Sequence, residues 1–201
     1  MRMNDLKTWV CIASGPSLED WQIDYIKKYK DRLVVMAISD NYKKAPWADI
    51  VFAADRAWWK HNIDEVSSSC PDSELWTLGD HNPFPDKIHG TKHRTDIDLT
   101  DKSSVYHGGN SGQIGIHLAY NLGAKKIIMV GYDFQKTDGK SHWFGDHPKI
   151  FKKNADGHER WNENFKEFSL HLSNAGVSLV NCSIQTAITS VRRSYLTSEI
   201  Y

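Results

Sequence analysis

Apolar positions in this chain follow two rhythms. Short, almost unbroken apolar runs stand at Thr8–Ala13 (TWVCIA), Leu33–Ile38 (LVVMAI), Asp49–Ala54 (DIVFAA) and Ile127–Val130 (IIMV). Runs of that kind are too apolar for half-exposed strands and too short for helices, so they are expected to be fully buried parallel strands. Between them the period lengthens. Trp21, Tyr25 and Tyr29 recur every four residues, as do Ile114, Leu118 and Leu122, with Gly115 and Ala119 beside them. Arg56–Glu65 also reads as helical, and Trp161, Phe165, Phe168 and Leu172 follow a 4-3-4 spacing. These are single apolar stripes on helices, closed by Gly123 and Gly176 as C-terminal stops. Strands alternating with helices predict one α/β domain over residues 1–201, with a mostly parallel sheet and helices on both faces. Val177–Asn181 is expected as the last strand and the tail from Gln185 as a helix. Residues 67–107 carry a weaker signal. Glu74–Leu78 reads as a strand, but HNPFPDKIHG and the polar run after it show no sustained period, which predicts a lid or an irregular insertion.

Small polar or acidic residues follow strand after strand. The first strand runs into Ser14, Gly15, Pro16 and Ser17, the second into Ser39, Asp40 and Asn41, the third into Asp55, and the fourth into Tyr132 and Asp133. Open α/β sheets bind their ligands at those carboxyl ends. Strand, tight turn and helix is also a phosphate-binding arrangement, although Ser17 with Asp20 three residues on reads equally as a capping box. Ahead of the helix at 112–122, Gly108, Gly109, Asn110, Ser111 and Gly112 place backbone N–H groups and small side chains at a helix N-terminus. An anion such as phosphate suits that place. The nucleotide-binding candidates are therefore Ser14, Gly15, Pro16, Ser17, Ser39, Asp40, Asp55, Asn110, Ser111 and Gly112. Downstream, His142-Trp143-Phe144-Gly145-Asp146-His147-Pro148 combines two imidazoles with a carboxylate in a glycine-containing loop expected over the strand ends. Such a loop suits proton transfer or a divalent ion, with His142, His147 and Asp133 as catalytic candidates and Asp133, Asp146 and His147 as metal ligands. His81, His89, His93 and His107 have no metal-ligand spacing.

Composition narrows the partners. Lys plus Arg and Asp plus Glu number 25 each among 201 residues, so no net field recruits nucleic acid or an anionic membrane. Nucleic acid is left unsupported rather than excluded. Cys11, Cys70 and Cys182 are odd in number and form no CxxC, which predicts reduced buried thiols and a soluble, cytoplasmic protein. No apolar stretch approaches the roughly 20 residues needed to span a bilayer. A small-molecule nucleotide is the expected partner, the acceptor is undefined, and a homo-oligomer is compatible with the composition.

With ASGPSLED at Ala13–Asp20, AISDN at Ala37–Asn41, PWADIVFAAD at Pro46–Asp55, the stretch GGNSGQIGIHLAYNLGAKKIIMVGYDF and the closing NAGVSLVNCS, the chain resembles two related groups. These are the MptE-like (motility-accessory-factor-like) superfamily and the compact bacterial lipooligosaccharide sialyltransferases that share its Rossmann-like core. HWFGDHP, which is no sialyltransferase feature, also makes the chain similar to uncharacterised phage and prophage proteins. The sialyltransferase resemblance implies a glycosyltransferase. Gly15–Ser17 and Ser39 would hold a nucleotide-sugar, Asn110–Gly112 its phosphate, and His158 would act as general base. Ser14 and Ser39 stand where those enzymes carry Asn. The pterin pyrophosphokinases of the superfamily imply the alternative, diphosphate transfer from a nucleoside triphosphate with Mg or Mn. A non-catalytic binding module, phage-encoded, is a further alternative.

Overall fold

The computed structural model describes residues 8–147 and 157–201; Pro148 and the expected loop onward to residue 156 lie outside the described residues. The described strands are β1 (Thr8–Ile12), β2 (Leu33–Ile38), β3 (Ile50–Phe52), β4 (Glu74–Leu78), β5 (His89–Arg94), β6 (Ser104–Tyr106), β7 (Lys126–Val130), β8 (Ser178–Asn181) and β9 (Arg192–Arg193). They form one sheet in the order β6-β5-β4-β3-β2-β1-β7-β8-β9, every neighbouring pair parallel. The helices are α1 (Asp20–Lys28), α2 (Arg56–Ser69), α3 (Ser111–Asn121), α4 (His158–Asn174) and a single turn α5 (Leu196–Glu199). Parallel neighbours need crossovers, and the apolar runs are continuous because both faces of the central strands are covered.

Alternation along each strand sorts its residues between the faces. Trp9, Cys11, Met36, Ile38, Ile127 and Met129 pack with Ile114 and Leu118 of α3 and with Phe165, Phe168 and Leu172 of α4. Val10, Ile12, Val35, Ala37, Ile128 and Val130 face the other way, onto Ile23 and Ile26 of α1 and Leu196 and Ile200 of the tail. Trp58, Trp59, Ile63 and Val66 of α2 cover Val51 and Ala53 beyond them. Burying a side chain of this size contributes about 1.5–3 kcal/mol, so the stripes, more than helix propensity, fix these helices in place.

The strand order runs outward from β1 to β6 and then returns through α3 to β7 on the other side of β1. The connections that follow β1 and β7 lead to α1 and α4 on opposite faces of the sheet, which opens a crevice at the carboxyl ends of these two strands.

Three local expectations are corrected. Residues 67–107 contribute β4, β5 and β6 to the same sheet. In β5 only Thr91 is buried, so HGTKHR carried no apolar rhythm to read. The tail from Gln185 holds edge strand β9, with only Leu196–Glu199 helical. The expected capping box also lies two residues further on: α1 starts at Asp20, and Glu19 and Gln22 make the reciprocal cap. Ser17 is engaged elsewhere, as described next.

Candidate functional site

A cleft of about 1170 Å³ opens at the crevice between β1 and β7. Ser14 and Gly15 after β1, Ser39 after β2, Asp55 after β3, Asn110, Ser111 and Gly112 at the start of α3, and Asp133 after β7 all line it, as do His142, His147 and His158. Two non-glycine residues at its strand ends adopt left-handed backbone, Ser39 (φ 52°) and Phe134 (φ 49°). Such conformations cost about 1–3 kcal/mol and collect where the surrounding structure over-determines them, as at ligand sites.

The α3 terminus leaves its first amides open beside the cleft. Asn110 caps the helix, its Oδ1 accepting the Gln113 N–H at 2.9 Å, and the first-turn amides of Ser111 and Gly112 have no helical acceptor. Tyr132, fully buried, supports the turn from below by donating to the Gly112 carbonyl at 3.1 Å. A Cβ at position 112 would stand 3.0 Å from the Tyr132 ring, so a side chain there would press on the residue that supports the turn.

The turn after β1 is different. The Gly15 N–H donates to the Gly131 carbonyl at 2.8 Å and the Ser17 N–H to Asp133 Oδ2 at 2.8 Å, while Pro16 has none to give. The Gly15 and Ser17 amides, expected to face phosphate, thus donate inside the protein. Ser14 lines the cleft, while Pro16 and Ser17 do not.

Asp133 is also occupied. Its carboxylate, 1% exposed, accepts Ser17 Oγ–H at 2.8 Å and Thr137 Oγ1–H at 3.2 Å in addition to the Ser17 amide. Burial pushes its pKa up, and the Ser17 and Thr137 hydrogen bonds oppose that rise. A Cβ on Gly15 would lie 2.1 Å from its Oδ1, so the β1 turn rests directly on the carboxylate. Asp133 is therefore a clamp between β1 and β7. Asp55 caps α2 by accepting from the Ala57 and Trp58 amides, both through Oδ1. Asp40 faces away from the cleft, accepting Trp58 Nε1–H at 3.0 Å with Lys43 3.5 Å distant. Together with Asp146 it lines a neighbouring hollow of about 250 Å³.

Three imidazoles, of His142, His147 and His158, line the same cleft. His142 and His147 lie with ring centroids 4.6 Å apart, and His142 stacks on Phe144 at 5.0 Å. Burial, reinforced by His147, holds the His142 pKa down to about 4. Burial also lowers that of His147, against the opposing charges of Asp40, Asp146 and Asp55. His158 opens α4, whose position is fixed by Asn162 donating to the Phe134 carbonyl at 3.2 Å and Asn164 to the Gly108 carbonyl at 3.1 Å. One turn on, Trp161 packs so tightly against Gly109 that a Cβ there would lie 3.1 Å from its ring. That contact ties the histidine end of α4 to the loop entering α3.

No group of three His, Cys, Asp or Glu side chains among the described residues could hold a metal ion. The expected set Asp133, Asp146 and His147 does not assemble, because Asp133 is buried in its clamp and Asp146 opens onto the other hollow. Residues that sequence reasoning missed include Lys136 and Arg160, cations lining the cleft, and Asn41, a buried link between its walls. Charge on an exposed lysine or arginine has no periodic signature, and Asn41, noted only as part of a polar strand end, showed no partner in the sequence.

A doubly wound parallel sheet with its cleft at the topological switch point defines a Rossmann-like α/β domain. The chain belongs to the MptE-like family: the family model described as 6-hydroxymethylpterin diphosphokinase MptE-like matches residues 2–139. That match covers β1 to β7 with the α3 terminus and Asp133, and it stops short of His142, His147 and His158. No curated protein matches the chain. No helix among the described residues is long and apolar enough to cross a membrane.

Proposed function

We propose that this protein is a nucleotide-binding transferase that moves a diphosphate group from ATP to the hydroxyl of a hydroxymethyl-bearing heteroaromatic acceptor of the pterin kind. The observation that carries the proposal is the open first turn of α3, which lines one cleft together with Lys136, Arg160 and the three imidazoles. The family match supports diphosphate transfer rather than the sugar transfer expected from the sialyltransferase resemblance.

The N–H groups of Ser111 and Gly112 would hold a phosphate of the nucleotide, and Lys136 and Arg160 would neutralise charge on the group in transit. The acceptor hydroxyl oxygen attacks the β-phosphorus. A new O–Pβ bond forms, the bond from Pβ to the oxygen bridging it to Pα breaks, and AMP leaves with that oxygen. The hydroxyl proton passes to an imidazole, for which His158 is the candidate at the cleft wall. His142, kept neutral above pH 4 by burial, is suited to hydrogen bonding rather than to carrying charge. A magnesium ion would enter as the counter-ion of ATP, as part of the substrate. No resident metal ligand set is required of the chain.

The test is incubation with ATP, magnesium and 6-hydroxymethylpterin, reading AMP and diphosphorylated product by phosphorus NMR. AMP formed only when acceptor is present is the expected result. Binding of a nucleotide-sugar with hydrolysis of its sugar, and no AMP from ATP, would overturn the proposal.

A further inference from the structure

Asn41 lies at the junction of three segments and is fully buried. Its Nδ2 donates to the Ile38 carbonyl at 2.7 Å and to Ser14 Oγ at 2.9 Å, while its Oδ1 accepts Trp143 Nε1–H at 3.0 Å. Both amide hydrogens and the acceptor are committed. Two consequences bear on the cleft. A hydroxyl that accepts from Asn41 keeps its own hydrogen for another partner, and Ser14 lines the cleft. Trp143, held by Asn41, is held again through its backbone N–H on the Ser14 carbonyl at 3.1 Å and by Lys44 4.5 Å from its ring centre. Its neighbour His142 and, four residues on, His147 line the same cleft.

We infer that Asn41 is a positioning residue for this site, turning the Ser14 hydroxyl outward as a donor to a ligand oxygen and anchoring the histidine loop through Trp143. The inference rests on the reading of the cleft as a nucleotide site. A carboxylate at position 41 would still accept from Trp143 but could only accept from Ser14 too, drawing the Ser14 hydrogen inward. Buried carboxyls have raised pKa values, so acidification would restore a donor. The groups facing position 41 are the Ser14 hydroxyl, the Ile38 carbonyl and the Trp143 indole. Asp40 with Lys43, Lys44 over Trp143, and the imidazoles of His142, hydrogen-bonded to the Ser14 backbone, and His147 are the nearby titratable and charged groups.

The experiment measures the Kd of magnesium α,β-methylene-ATP by calorimetry from pH 5.5 to 8, and kcat for AMP release. Asn41→Asp should bind about 10- to 100-fold more weakly at pH 8, the cost of one hydrogen bond to a charged oxygen, and recover toward the wild type at pH 5.5. Ser14→Ala should show the same loss at every pH, and the double variant should be no weaker than Ser14→Ala alone. Trp143→Phe should keep the nucleotide Kd within about threefold while kcat falls about tenfold or more, because it frees the loop without touching Ser14. If Asn41→Asp fails to fold, Ser14→Ala and Trp143→Phe decide. Wild-type affinity in Ser14→Ala, or a loss in Asn41→Asp that does not vary with pH, overturns the inference. Wild-type behaviour here with lost binding in Ser111→Asp would leave the nucleotide reading intact. Retained binding in Ser111→Asp as well would remove that reading itself.

Discussion

Ser111→Asp should move stability and ligand affinity in opposite directions. Ser111 is the first residue of α3, and its Oγ accepts a long hydrogen bond, 3.4 Å, from the Ala54 amide. A carboxylate in the first turn of a helix stabilises it by about 0.3–1 kcal/mol through the macrodipole and the unpaired amides. For a domain of this size that raises Tm by roughly 1–4 °C. The same carboxylate would compete for the amides offered to phosphate. At about 5 Å from a phosphate charge and an effective dielectric near 20, repulsion costs about 3 kcal/mol, or roughly 100- to 300-fold in Kd. Calorimetric titration with magnesium α,β-methylene-ATP, paired with thermal unfolding of the free protein, reads both numbers. Ser111→Asn, which adds no charge, should bind within a few-fold of wild type. Higher salt should narrow the gap between the two variants. A folded Ser111→Asp protein with unchanged Tm and a Kd within threefold of wild type would refute the anion-site argument. A Tm loss parallel to the affinity loss would show a damaged helix instead of an occupied site.

The buried His117, whose Nδ1 accepts the Tyr106 amide at 2.8 Å, has its pKa lowered to about 4 by burial and then by Lys102. Its folded value lies below the unfolded one, so the stability it contributes is full above about pH 6.5 and is lost as pH falls toward 4. His142 and His147 also have lowered pKa values, so the test is the difference: by urea unfolding the wild type should lose about 3 kcal/mol more than His117→Gln over that window, and equal declines would contradict the assignment. Asp133→Asn should cost about 1–3 kcal/mol by breaking the Ser17–Asp133–Thr137 clamp, seen as a lowered urea midpoint. Wild-type stability with abolished turnover would instead return Asp133 to the chemistry.

Local pattern carried the core of the fold. Continuous apolar runs require cover on both faces, and that need alone specified β1, β2, β3 and β7 as buried parallel strands with helices between them. It also pointed to the strand ends as the site, because the polar residues following those runs have no place in the core. The sequence did not carry the sheet edges. In β5 one residue of six is buried, and β9 is two residues held by pairing to β8, so neither leaves an apolar rhythm. Nor could it say which strand-end groups face a ligand and which face each other. Ser17 and Asp133 are 116 residues apart and looked equally available; only the adjacency of β1 and β7 makes them partners. Asn41 gains its role in the same way, from Ser14 and Trp143 arriving at one point. Burial and periodicity are properties of neighbouring residues along a chain. The choice between binding a ligand and binding another strand end is made by hydrogen-bond geometry that exists only once the sheet has assembled.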